Sequence, residues 1–340
     1  MSLPPPPPAR PADTSELSAA LEQCLGRHCG RPCPLARLER RPSDYRSSNA
    51  LEEIDAELAD GRVLRLVFKD LSPRALLECA RGARPEFLRE PRREIEVYRT
   101  FLAVAGLGTA AYYGAAADED RGRYWLFLDR VPGQALNQVG EFAAWLQAAR
   151  WLAALHTLTV GAAQALGEAR LVAFDADYFR LWPRRAQAFA RRSADRRMLA
   201  RLAGRYDPAV ERLAALPRTM IHGEFFAANV LVHNLEPSWR VCPVDWETAA
   251  LGPGLVDLAA LTAGQWADPQ REALALAYHA EQTARGGLPP APEALLTDLD
   301  FCRLHLAVQW LGWSPEWSPP PEHSHDWLGE ALALSEKLGL

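Results

Sequence analysis

The sequence predicts an α+β chain in two parts, a small sheet-rich part followed by a larger helical one. Three observations carry that reading. Short apolar runs bounded by turn residues fill the stretch from about Ala36 to Val131. Apolar residues recur at three- and four-residue spacing through most of the remainder. The 340 residues exceed what one ordinary core encloses. On this basis residues 1–35 form a proline-rich tail and a short helix, 36–131 a sheet-rich lobe and 132–340 a helical lobe, with ligands expected in the cleft between lobes.

Composition narrows the function before any motif does. A hydrophobic fraction of 49%, a charged fraction of 24% and a net charge of -5 describe an ordinary soluble globular protein. No basic cluster is interleaved with aromatics, so nucleic acid is not an expected partner. The least charged long stretch, Phe142 to Leu166, still holds Gln147, Arg150, His156 and Gln164, which reads as a buried helix and not a membrane span. Six dispersed cysteines and no visible targeting segment point to a reducing cytoplasm. Cys24, His28, Cys29 and Cys33 lack the paired spacing of a zinc site, and the three cysteines read as reduced thiols. Oligomeric state is not legible.

Taken in order, "PPPPPARPAD" is an extended leader, because proline runs form neither helix nor ladder. Ser15 is placed to cap a helix carrying Leu17, Leu21 and Leu25 and ending before Gly30. "ALEEIDAEL", Asp60-Gly61 and "RVLRLVFKDL" read as a hairpin whose second strand holds Val63, Leu64, Leu66, Val67 and Phe68. "REPRREIEVYRTFLAVAG" places Ile95, Tyr98, Phe101 and Leu102 on one helical face, with Gly106 beyond its end. "RYWLFLDRVPG" is a further strand closed by Pro132-Gly133. "EFAAWLQAARWLAALHTL", "DPQREALALAYHAEQTA" and "LLTDLDFCRLHLAVQWLGW" read as helices sharing one core.

The helices are interrupted by "IHGEFFAANVLVHNLEPSWRVCPVDWE", Ile221 to Glu247. Thr219 to Ile221 is expected as a strand, His222 to Asn229 as a loop, and Val230–Val232 with Val241–Val244 as a hairpin. That arrangement lets Glu224, Asn229 and Asp245 converge. An amide oxygen and a carboxylate are hard ligands suited to Mg²⁺, and a second carboxylate can take a proton from an attacking hydroxyl. Singly, each such residue is more often a turn cap or a solvated side chain. Lysine often guards a sheet edge, but Lys69 and Lys337 are the only lysines among 38 lysines and arginines. A lysine retained inside a strand is therefore informative.

The order and spacing of these residues resemble the aminoglycoside phosphotransferase and choline kinase family, which shares the two-lobed fold of protein kinases. The motif there is His-Gly-Asp, an Asn five residues later and an Asp on the next hairpin; here one reads His222, Gly223, Glu224, Asn229 and Asp245. The resemblance implies a protein-kinase-like fold, with ATP and Mg²⁺ as cofactors and a small hydroxylated molecule as acceptor. It implies that Glu224, in place of the family Asp, is the catalytic carboxylate and that Asn229 and Asp245 hold the metal; His222 is expected to brace the loop in preference to transferring protons. "LVFK" ending at Lys69 looks like the strand whose lysine holds nucleotide phosphates, with Glu94 as its helix partner in competition with Glu90 and Glu96. "LFLDRVPGQAL" is similar to the adenine hinge, so Asp129 and Val131 are expected to act through backbone groups. "RPSDYRSSNALEE" has no glycine-rich loop, and Ser47, with Ser43 and Ser48, stands where phosphates would be covered. In "GPGLVDLAAL", Asp257 is the expected support of the catalytic loop, and "LAALH" around His156 fits the helical lobe.

Two readings follow. One is an ATP- and Mg²⁺-dependent kinase acting on an aminoglycoside-, choline- or natural-product-like hydroxyl. The other is a nucleotide-binding module in which Glu for Asp marks a lost base. Asp268, Glu272, Glu281, Glu293, Asp298 and Asp300 are mixed with Arg271, Arg285 and Arg303, so charge leaves the acceptor open. Trp310, Trp313, Trp317 and Trp327, with His323 and His325, serve either as packing or as an aromatic substrate wall.

Overall fold

The computed structural model describes residues 12–43, 49–77, 84–160, 170–264, 266–315 and 325–340. The chain divides into two compact units, 1–82 with 90–131, and 83–89 with 132–340. The fold is mixed α+β, as expected: one unit is built on a sheet and the other mainly on helices.

In the first unit, helix α1 (Thr14–Cys29) is capped by Asp13, whose Oδ1 accepts from the backbone N–H groups of Ser15 and Glu16 at 2.9 and 3.2 Å. The cap is thus Asp13 and not Ser15, because a carboxylate meets two orphan N–H groups without a competing donor. Gly30 ends the helix at φ 67°. Strands β1 (Leu35–Pro42), β2 (Ala50–Leu58), β3 (Val63–Asp70), β4 (Tyr112–Asp118) and β5 (Arg123–Asp129) form one antiparallel sheet in the order β1-β2-β3-β5-β4. The Asp60-Gly61 turn joins β2 to β3, with Gly61 at φ 84°. Leu17, Leu21, Cys24 and Leu25 of α1 bury against Ile54, Ala56, Leu66, Phe68, Trp125 and Phe127. The helix expected beside the tail is therefore part of the sheet unit's core, each of its leucines contributing roughly 2 kcal/mol of burial. Helix α2 (Arg93–Val97) widens into a π turn, Tyr98–Leu102, where a continuous helix was expected.

The second unit contains β6 (Gln134–Ala135), α3 (Phe142–Thr159), β7 (Val172–Ala173), α4 (Ala176–Phe189), α5 (Ser193–Ala203) and α6 (Asp207–Ala215). After β8 (Arg218–Ile221), β9 (Val230–Asn234), β10 (Trp239–Pro243) and β11 (Ala250–Pro253) come α7 (Leu255–Leu261), α8 (Asp268–Ala284), α9 (Pro292–Leu311) and α10 (Trp327–Lys337). Helix α3 buries Trp151, Leu152 and Leu155 and packs on α8, while α9 packs on α4, α7 and α10. No helix among the described residues is long and apolar enough to cross a membrane.

Two short ladders set up the site. Strand β8 pairs with β11 and not with the hairpin that follows it, with Ile221 opposite Ala250. Residues just after β8 are thereby laid beside residues just before β11. In the β9–β10 hairpin Val230 lies opposite Pro243, which brings Asn229 next to Val244.

Candidate active site

The loop after β8 is held from below by one buried carboxylate. Asp257, on α7, is fully buried and accepts from the backbone N–H of His222 at 2.6 Å and of Gly223 at 2.9 Å. His156 Nε2 approaches the same carboxylate at 3.4 Å, and its Nδ1 is 2.9 Å from the Tyr278 hydroxyl. A carboxylate in a dry interior persists because several donors meet it. Gly223 sits at φ +84°, and a Cβ there would lie 2.4 Å from the Thr248 carbonyl oxygen, so only glycine fits the bend.

His222 is fully buried and fixes the next part of the loop. Its Nδ1 accepts from the Glu224 N–H at 3.4 Å and its Nε2 donates to Val244 O at 2.9 Å, which together specify the Nε2–H tautomer. The imidazole thus bridges the loop to the end of β10. This is the bracing role expected of it.

Glu224, Asn229 and Asp245 are brought together by these contacts. Asn229 Nδ2 donates to Glu224 O at 3.0 Å, and Val244 N donates to Asn229 O at 2.9 Å. Asp245 follows immediately in the left-handed region at φ 68°, ψ 62°, a conformation that costs energy in a residue other than glycine and turns the chain sharply. Thr248 Oγ1 lies 3.2 Å from His222 O and 3.3 Å from Glu224 Oε2, and its single proton serves one of them at a time. Burial pushes the Glu224 carboxyl up to about 7, with Arg84 opposing the rise and Asp245 and Glu247 adding to it.

Two charged residues at this site were not singled out by the sequence reading. Arg84, which is 7% exposed, donates through Nη1 to Oε2 of Glu247. Glu224 and Asp245 also bear on its charge, and together the three acids hold the guanidinium above its ordinary range against the opposing effect of burial. Glu247 had a weak signal, two residues after Asp245. Arg84 had none, because arginines are spread along the whole chain.

In the first unit Lys69 Nζ donates to Glu94 Oε2 at 2.6 Å, and both side chains are buried. The choice among Glu90, Glu94 and Glu96 falls on Glu94; Glu96 pairs with Arg99. Asp129 ends β5 opposite Leu66 and donates its N–H to Ala111 O, with Val131 two residues beyond. Ser43 is buried, whereas Ser47 and Ser48 lie outside the described residues.

The model of the phosphotransferase enzyme family matches residues 58–295. The chain belongs to that family. This phosphotransferase is similar in fold to a macrolide 2'-phosphotransferase type I, at 18% identity and a TM-score of 0.55 over 97% of this chain and 98% of that one. A microcompartment-associated aminopropanol kinase matches at 15% identity and TM-score 0.56, over 88% and 90% of the two chains. A Plasmodium vivax ethanolamine kinase matches at 12% identity and TM-score 0.54, over 89% and 82%. None of the curated proteins matches the sequence.

Next to the His222–Asn229 loop the phosphotransferase carries a run of aromatic rings. Phe226 lies 5.2 Å from Trp310, which stacks on Trp327 at 5.5 Å, while Trp313 stacks on Trp182 at 5.8 Å. Trp317 and His323 lie outside the described residues. Among the described residues of the same region, Asp298 pairs with Arg212, Asp300 with Arg303 and Lys337, and Glu330 with Arg303 and His325.

Proposed function

We propose that the protein is an ATP- and Mg²⁺-dependent kinase that phosphorylates a hydroxyl of a small molecule. The observation that carries this reading is the meeting of Glu224, Asn229 and Asp245 at the ends of two ladders, braced by His222 and Asp257. The donor set suits magnesium. The Asn229 amide is oriented by its Nδ2 bond to Glu224 O, which leaves its oxygen as the ligand atom, and Asp245 supplies a carboxylate. Magnesium bound there would neutralise charge on the phosphates of the donor nucleotide. Asn229 and Asp245 hold it, while Lys69, fixed by Glu94, offers an ammonium to the phosphates. Asp129 and Val131 meet the base through backbone groups. The Glu224 carboxylate orients the acceptor hydroxyl and takes its proton as that oxygen bonds to the terminal phosphorus and the bond to ADP breaks. Catalysis is then positioning and charge neutralisation.

For the acceptor, Asp298, Asp300 and Glu330 on α9 and α10 are already paired with cations, and the rings of Phe226, Trp310 and Trp327 suit an apolar, ring-bearing alcohol. Solved structures of similar fold are named for macrolide, aminopropanol and ethanolamine acceptors. The test is incubation with Mg-ATP and a panel of hydroxylated macrolides, aromatic natural products, aminoglycosides and amino alcohols, read by ADP release and product mass. Acceptor-dependent ADP release is expected, with turnover lowered by about 10²-fold or more in Glu224→Gln while nucleotide binding stays near wild type. Undiminished turnover in that variant removes Glu224 as the base. A protein that binds nucleotide but releases neither ADP nor phosphorylated product with any acceptor leaves the binding-module reading instead.

A further inference from the structure

Arg84 has the surroundings of a phosphate ligand. It lies on a segment fastened to the helical unit: the Phe87 ring is 5.9 Å from Trp182 and 5.9 Å from the Arg185 guanidinium, and Arg89 Nη2 donates to Arg84 O at 2.8 Å. The guanidinium is therefore delivered from a fixed backbone. A buried arginine ordinarily uses all its donors, since each unmet N–H costs its desolvation. Arg84 does not: Nη1 donates to Glu247, while the buried Nε finds no hydrogen-bond partner among the described residues; the Nε of Arg123, Arg271 and Arg303 is likewise unmet, but Arg84 is the one that meets Glu247 beside Glu224 and Asp245. Around it stand Glu247, Glu224 and Asp245. Three carboxylates against one guanidinium leave an excess of negative charge that suits a divalent cation. A spare N–H at the same place suits the anion that arrives with such a cation.

We propose that Arg84, held by Glu247, donates its Nε–H to the terminal phosphate of the nucleoside triphosphate. The terminal group is singled out because Glu224, whose proton acceptance requires it to face the attacking hydroxyl, shares the same cluster. The inference rests on the phosphotransferase reading of the site. It differs from a purely structural role, in which Arg84 does no more than neutralise Glu247.

The experiment is calorimetric titration of the full chain, in Mg²⁺, with ADP and with the non-hydrolysable imido analogue of ATP, for wild type, Arg84→Gln, Arg84→Lys and Glu247→Gln. Arg84→Lys keeps a cation beside Glu247 but has no Nε–H, so it tests the proposed donor even where Arg84→Gln fails to fold. Both Arg84 variants are expected to weaken the triphosphate analogue by about tenfold or more, one charge-assisted hydrogen bond. ADP is expected to change by less than about threefold, and Glu247→Gln to keep the triphosphate preference within about threefold. Equal losses for the two nucleotides, an unaltered Arg84→Lys, or a Glu247→Gln that reproduces the Arg84 variants would each overturn the proposal. A wild-type protein that binds neither nucleotide removes the reading of the site itself, and the inference with it.

Discussion

The carboxyl of Glu224 carries a consequence for pH. Burial and the neighbouring Asp245 and Glu247 push it up to about 7, against the pull of Arg84. A base must be ionised to accept a proton, so in the proposed mechanism turnover falls about tenfold per unit on the acid side of the carboxyl's titration, which bound magnesium draws below the metal-free value. A pH–rate profile with no acid limb contradicts this role. The same shift acts on the nucleotide-free fold with the opposite sign: a carboxyl raised above its unfolded value contributes stability below the unfolded value and loses it as pH rises through 7. Gly223 is a second residue at which substitution is informative. Gly223→Ala forces a Cβ against the Thr248 carbonyl at a positive φ, and denaturant unfolding is expected to register a loss of more than about 2 kcal/mol. What could be read in advance at these positions depended on chemical rarity. Lys69 stood out because lysine is scarce in this chain. Arg84 carried no signal, because arginine abounds, although it meets Glu247 at the heart of the site.

Secondary-structure elements were legible where a period repeats and obscure where pairing is distant. The Asp60-Gly61 hairpin and helices α3, α8 and α9 follow from spacing and turn residues alone. The pairing of β8 with β11 does not, because four-residue strands carry no register of their own and their partners lie far apart in the chain. That ladder nevertheless lays Thr248 against His222 and Glu224. Helix α1 was legible as a helix but not as a core element, since an apolar face does not say what it will cover. Leu21 is wholly buried under the five-stranded sheet, so Leu21→Ala is expected to cost about 2–5 kcal/mol in thermal or denaturant unfolding. A loss under about 0.5 kcal/mol, typical of a surface position, contradicts the placement of this helix in the core.

For the molecule as a whole, the division into a sheet unit and a helical unit was visible in the change of period along the chain. The grouping of segment 83–89 with the helical unit was not, because seven residues show no period at all. The proposed chemistry needs a metal held in the helical unit by Asn229 and Asp245. The most direct measurement is calorimetric titration of ATP into the wild-type protein and Asp245→Asn, each with Mg²⁺ and with EDTA. Wild-type affinity is expected to fall by about tenfold or more when the metal is removed, and Asp245→Asn to bind weakly and alike under both conditions. Magnesium-independent binding by wild type, or full magnesium dependence retained in Asp245→Asn, would contradict that chemistry.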